Sequence, residues 1–163
     1  MVYDTAMQNS PIAHFVSDIK DNPWPKRWLW LSVCSLALAG IFAVVLVIAR
    51  TPQLQALATT QDLFQVALVT HVDLSVLVWF LAMTSFLWSL LRARARRKAL
   101  AYFDLASWWS MAIGMVLIAL SPVYPEWETL KSNYIPVITN PVFFVGLSLV
   151  LCSIVVGAIH TVI

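Results

Sequence analysis

Charge is scarce in this sequence. Only 11% of the 163 residues are Asp, Glu, Lys or Arg, against 61% hydrophobic. A water-soluble domain of this size needs a polar coat that such a composition does not supply, so an ordinary soluble fold is excluded. Cysteine is scarce as well. Cys34 and Cys152 are the two, each in an apolar run with no CxxC or Cys/His spacing. That argues against a disulfide framework or a zinc site and leaves buried packing as their expected role. There is no glycine-rich phosphate loop, nucleophile triad or internal repeat. No basic segment leading a short apolar core and a small-residue cleavage site opens the chain, so no signal peptide is expected.

What is present is long apolar runs and a strongly positive mean hydropathy, the marks of an integral membrane protein. Their spacing predicts an all-α, polytopic transmembrane bundle of four spans, at about 28–50, 63–91, 103–121 and 141–163. Residues 1–27 form a polar cytoplasmic or interfacial segment, and 28–163 the membrane domain. Within Asn22-Pro-Trp-Pro-Lys-Arg-Trp28 the two prolines oppose helix propagation, and Trp24, Trp28 and Trp30 suit the membrane interface. His14, in the preceding segment, reads as an exposed histidine. Arg50, with Thr51 and Pro52, closes the first span and can snorkel to the head groups. Gln53 to Asp62 is a short surface connection.

Five of the ten Lys and Arg residues lie between Arg92 and Lys98. In a membrane protein such a cluster sets topology by the positive-inside rule and is no nucleic-acid footprint. Both chain ends are then expected to be cytoplasmic, in a bacterial-type inner or equivalent respiratory membrane. The connection from Ser121 to Asn140, with Glu126, Glu128 and Lys131, faces the other side. Pro122 and Pro125 end the third span. Ser153 and Gly157 form a small-xxx-small pair that permits close helix contact. No Lys or Arg follows the fourth span, which suggests one piece of a larger membrane body.

The second span carries the candidate chemistry. His71 and Asp73 are the ionisable side chains well inside it, and such residues are functional hypotheses by default because hydrocarbon penalises them. His71 lies about 11 Å below the outer end of its span at about 1.5 Å per residue. Aliphatic neighbours in LVTHVDLSVLVWFL suit the edge of a large apolar ring, and neutral imidazole is an axial ligand of haem iron. A structural histidine donating to a neighbouring helix carbonyl is the competing reading. On an α-helical wheel Ala67, Leu68, Leu74, Ser75 and Val78 share the His71 face. Asp73 is turned about 200° away; with Thr70 it forms a second polar edge, either a protonated structural carboxyl or part of a proton path. His160 lies about 28 Å deep by the same count, too far from His71 for one iron, and reads as interfacial near the inner surface.

Two stretches carry a resemblance: LFQVALVTHVDLSVLVWFL around His71, and GLSLVLCSIVVGAIHTVI, in which small residues precede His160 and Thr161-Val162. Together with the order of the four spans, about Trp28 to Ile163, they resemble subunit I of the haem-copper oxidases, the respiratory terminal oxidases and their nitric oxide reductase relatives. The resemblance implies that His71 is an axial ligand of a low-spin haem walled by the other three spans; Leu68, Ser75 and Val78, on the His71 face by helical spacing, are the expected contacts on its own span. It also implies that this chain is an amino-terminal, split or truncated part. The second ligand of that haem and the copper-containing binuclear centre would then come from the remainder of subunit I. Other oxidase subunits and membrane lipid are the further partners. The chain would be a piece of an oxidoreductase complex, an oxygen reductase of the cytochrome c oxidase type ahead of a nitric oxide reductase, and not catalytic alone. The alternative from another class is a haem-free four-helix assembly factor or small transporter with His71 and Asp73 lining a polar seam. A dihaem cytochrome would need paired histidines at matching depths, which the sequence does not offer.

Overall fold

Two helices begin with the same device. At Asn22 the side chain accepts a hydrogen bond from the Trp24 amide, 3.1 Å, and at Asn140 from the Val142 amide, 2.7 Å. Each asparagine is followed by proline, whose missing N–H costs nothing in a first turn that has no acceptor for it. The first helix therefore runs Pro23–Arg50, starting five residues earlier than the proline pair suggested. Proline in a first turn opens a helix and does not block it.

The structure, a computed structural model, describes residues 22–52, 60–93, 101–124, 128–130 and 136–162. His14, the Gln53 to Asp62 connection apart from its last helical residues, and the basic loop beyond Ala93 lie outside these residues or outside their described side chains. The second helix is one rod in three parts: α-helix Thr60–Val72, a π-helical stretch Asp73–Val78, and α-helix Trp79–Ala93. The third is Ala101–Leu120, closed by a 3₁₀ turn Ser121–Val123 that contains Pro122. The fourth is Pro141–Val162. All four are long and apolar enough to cross a membrane, so the chain is a four-span membrane protein. The outer connection adds a minimal antiparallel ladder, Thr129–Leu130 against Val137–Ile138.

The third and fourth helices pack closest. A Cβ added to Gly114 would lie 2.7 Å from the Gly146 carbonyl oxygen, so only glycine allows the two backbones to approach this far. On the inner side Ser107 Oγ donates to Ser153 O, 2.8 Å, Ser153 Oγ to Ser107 O, 2.7 Å, and Ser110 Oγ to Leu149 O, 2.7 Å. Each step up one helix is matched by a step down the other, the register of an antiparallel hairpin. Ser153 and Gly157 do face this contact, with Ser107 Oγ 3.5 Å from a Cβ built on Gly157.

Arg92 joins this hairpin to the rest. Its Nη2 lies 3.0 Å from Asp104 Oδ1 and its Nη1 donates to Gly157 O, 3.1 Å. One guanidinium thereby fixes the second, third and fourth helices at a common level. Its fork suits that double duty. From this level Asp104 to Leu120 rises about 24 Å, and Gly157 back to Pro141 about the same; an equal rise along the second helix reaches only Val76. The outer parts of the first and second helices thus overhang the other two. The outer connection packs on this overhang: Thr129 Oγ1 donates to Gln65 Oε1, 2.6 Å, and Ile138 is fully buried.

Three side chains depart from expectation. Trp28 is fully buried in the bundle, not at a wet interface, because the helix that carries it already began at Pro23. Cys34 and Cys152 are both exposed on the bundle surface. The faces turned inward there are taken by small serines such as Ser32, Ser35 and Ser153, which let helices approach more closely than a thiol would.

Candidate functional site

The first and second helices are cross-tied at the overhang. His71 Nδ1 lies 2.8 Å from the Ala39 carbonyl oxygen, and one turn inward Ser35 Oγ donates to Leu74 O, 2.6 Å. A carbonyl only accepts, so Nδ1 carries the proton in the neutral ring and Nε2 holds the lone pair. Nε2 has no hydrogen-bond partner and is not enclosed among the described residues. The ring is half-buried, clamped at one nitrogen and open at the other. Metal-bound imidazoles are held in this way, their second nitrogen oriented by a backbone carbonyl.

The π-helical stretch begins two residues after His71. The Trp79 amide reaches back five residues to Leu74 O, and that same carbonyl takes the Ser35 hydroxyl. An i→i+5 turn is wider than an α turn, so each residue advances through a smaller angle. That displaces everything beyond Asp73 from its α-helical wheel position. Val78 is fully buried inside the bundle, away from the open imidazole edge it was expected to share. Ala67 and Leu74 are likewise buried, whereas Leu68 and Ser75 are half-buried beside the histidine. Ser75 Oγ turns to Val72 O, 3.4 Å.

No hydrogen bond joins Asp73 to Thr70 among the described residues. Thr70 Oγ1 donates to Val66 O in its own helix, 3.0 Å. Asp73 is 1% exposed, and its Oδ2 has no partner among the described residues. Asp73 lines a cleft of about 170 Å³ whose other walls are Val72, Val76, Leu77, Phe80, Leu81 and Pro136. No hydrogen bond links His71 to Asp73 among the described residues; each has its own surroundings, His71 against the first helix and Asp73 in the cleft.

His160 is far from either. Its backbone follows Gly157, which is level with Arg92, so it lies about 36 Å from His71 along the bundle. The described residues contain no cluster of three or more His, Cys, Asp or Glu that could hold a metal. At the outer end of the first helix the Arg50 guanidinium lies over the Phe64 ring, 4.4 Å from its centroid. Its charge is engaged by an aromatic face.

Sequence reasoning missed the partners of His71 on the first helix. Ser32, Ser35 and Ala39 recur at helical spacing and form a small-residue stripe, a signal that two backbones come close. The stripe is where the second helix lies.

No protein-family model matches this chain. No solved structure matches it. Among curated proteins it is similar to an uncharacterized protein of Rickettsia prowazekii (strain Madrid E), 32% identical over 90% of this chain and 32% of that protein. It is also similar to an uncharacterized protein of Aquifex aeolicus (strain VF5), 33% identical over 82% of this chain and 32% of that protein. The chain spans about a third of the length of the curated relatives it matches.

Proposed function

We propose that this chain is the amino-terminal part of subunit I of a respiratory haem-copper terminal oxidase, and that His71 supplies one axial ligand to its low-spin haem. The observation that carries the reading is the state of the imidazole. Its donor nitrogen is committed to Ala39 O, and its acceptor nitrogen has no hydrogen-bond partner among the described residues. A bare acceptor in hydrocarbon is costly, and a metal or an external donor relieves it. A structural histidine accounts for the first nitrogen and leaves the second unexplained.

In this reading Leu68 and Ser75 border the haem edge. The second ligand and the copper-containing centre come from the remaining polypeptide, in keeping with relatives about three times as long as the matched stretch. The chain then holds and insulates a haem through which electrons pass to oxygen chemistry elsewhere. The basic end of the second helix faces the cytoplasm by the positive-inside rule, which puts both chain ends there, in a bacterial-type inner membrane.

The test is an optical spectrum of the complete assembly purified from its native membrane. The low-spin haem band is expected to vanish in His71→Ala and to persist in His160→Ala. An unchanged band in His71→Ala would refute the assignment and leave a haem-free helical bundle as the surviving description.

A further inference from the structure

The carboxyl of Asp73 is 1% exposed, and its Oδ2 meets no donor among the described residues. Neither protonation state rests comfortably there. An ionised carboxylate needs a paired cation, and a neutral acid still carries a carbonyl oxygen that wants a donor. The cleft in front of it is about 170 Å³, room for several waters at about 30 Å³ each, yet its other walls offer water almost nothing to bond. It is partly open, and Val76 and Phe80 at its rim are 61% and 62% exposed. The lane continues down the second helix through Met83, Leu87 and Leu90 at alternating steps of four and three residues, with Leu87 52% exposed and the other two half-buried. A stripe of this spacing is what a second helix packs along.

We propose that the Asp73 cleft seats a lysine or arginine carried on a membrane-crossing helix of the polypeptide that completes the assembly. The helix lies along the Val76, Phe80, Leu87 lane, and its basic side chain enters between Val76 and Phe80 to meet Oδ2. The volume matches one long basic side chain, and the charge is complementary. The relatives, about three times as long as the matched stretch, provide the length from which such a helix comes. Membrane-buried charges pair with one another in this way, and a helix with its own backbone bonds satisfied needs only that one polar contact. The inference shares with the haem reading the premise that a partner exists, and it does not depend on haem.

The experiment places a photo-crosslinking benzoylphenylalanine at Val76 in the full assembly in its native membrane, with Val44, 59% exposed on the first helix, as the control position. Irradiation should join position 76, and not position 44, to a transmembrane peptide that contains Lys or Arg. The yield should fall about ten-fold or more in Asp73→Leu, since breaking a buried pair exceeds one ten-fold step in stability. It should be largely retained in Asp73→Glu. Asp73→Lys should lose the adduct, and exchanging the captured basic residue for Asp should restore it. Adducts to lipid alone, a captured peptide without a basic residue, or a yield indifferent to Asp73→Leu would each overturn the proposal. The haem band read on the same samples separates the two readings: a band that persists while the adduct is absent removes this docking site and leaves the ligand assignment standing.

Discussion

The serines between the third and fourth helices bond across the contact, although Trp108 Nε1 on the third is buried without a partner among the described residues, whereas the first and second leave a histidine nitrogen and a carboxyl oxygen over. Between Ser107, Ser110 and Ser153 each hydroxyl finds a carbonyl across the contact, and Gly114 lets the backbones meet. At the overhang of the first hairpin, Ala39 and Leu74 carbonyls are used, but His71 Nε2 and Asp73 Oδ2 have no partner among the described residues. Buried polar groups in folded proteins are satisfied as a rule. A seam whose hydroxyls bond across it holds two helices together, and the open His71 and Asp73 atoms are where the proposed ligand and partner would meet this chain.

That contrast can be broken most forcefully at its joint. Asp104→Ala removes the carboxylate that faces the Arg92 guanidinium and should destabilise the bundle by about 3 kcal/mol, the low end for breaking a buried pair because both side chains keep 14% exposure. Denaturant titration in detergent micelles would read it. Next comes Gly114→Ala, whose added Cβ meets backbone at 2.7 Å; a cost of about 1–3 kcal/mol is expected for overpacking that no side chain can relieve. Ser35→Ala removes one cross-helix bond and should cost about 1 kcal/mol, while loosening the register that aims His71. The smallest effect belongs to Cys34→Ser and Cys152→Ser: both thiols are exposed, so stability should shift by no more than about 0.5 kcal/mol. If His71→Ala destabilises the isolated chain as much as Asp104→Ala does, the distinction between a closed hairpin and an open one fails.

The four helices were legible in the sequence because hydrocarbon makes a coarse demand: about twenty apolar residues satisfy it, and charge or proline interrupts it. His71 was legible for the same reason, as an exception to that demand. The π-helical stretch was not. An i→i+5 turn is stabilised by tertiary partners, here the Ser35 hydroxyl on Leu74 O, and no local pattern in DLSVLV announces it. Its consequence reached the candidate site, since Val78 was assigned to the histidine face by a wheel that holds only up to Asp73. Arg92 was read as one of a run of basic residues marking a membrane boundary. Its place beside Asp104 depends on two helices returning to the same level, which composition cannot convey. Asn-Pro at positions 22–23 and 140–141 is the opposite case. The signal is local and complete, and it was obscured at the first site by attention to proline as a breaker.

The step between the two hairpins bears on how this protein sits among lipids. The third helix, about 30 Å long, has the length of a hydrocarbon core, whereas the second, about 50 Å, exceeds it by about 20 Å. The excess is taken up by tilt and by position between the two faces of the bilayer, and the outer part of the long pair carries the short β ladder. Lipid along this flank therefore meets helices of two lengths, and His71 and Asp73 both belong to the longer one.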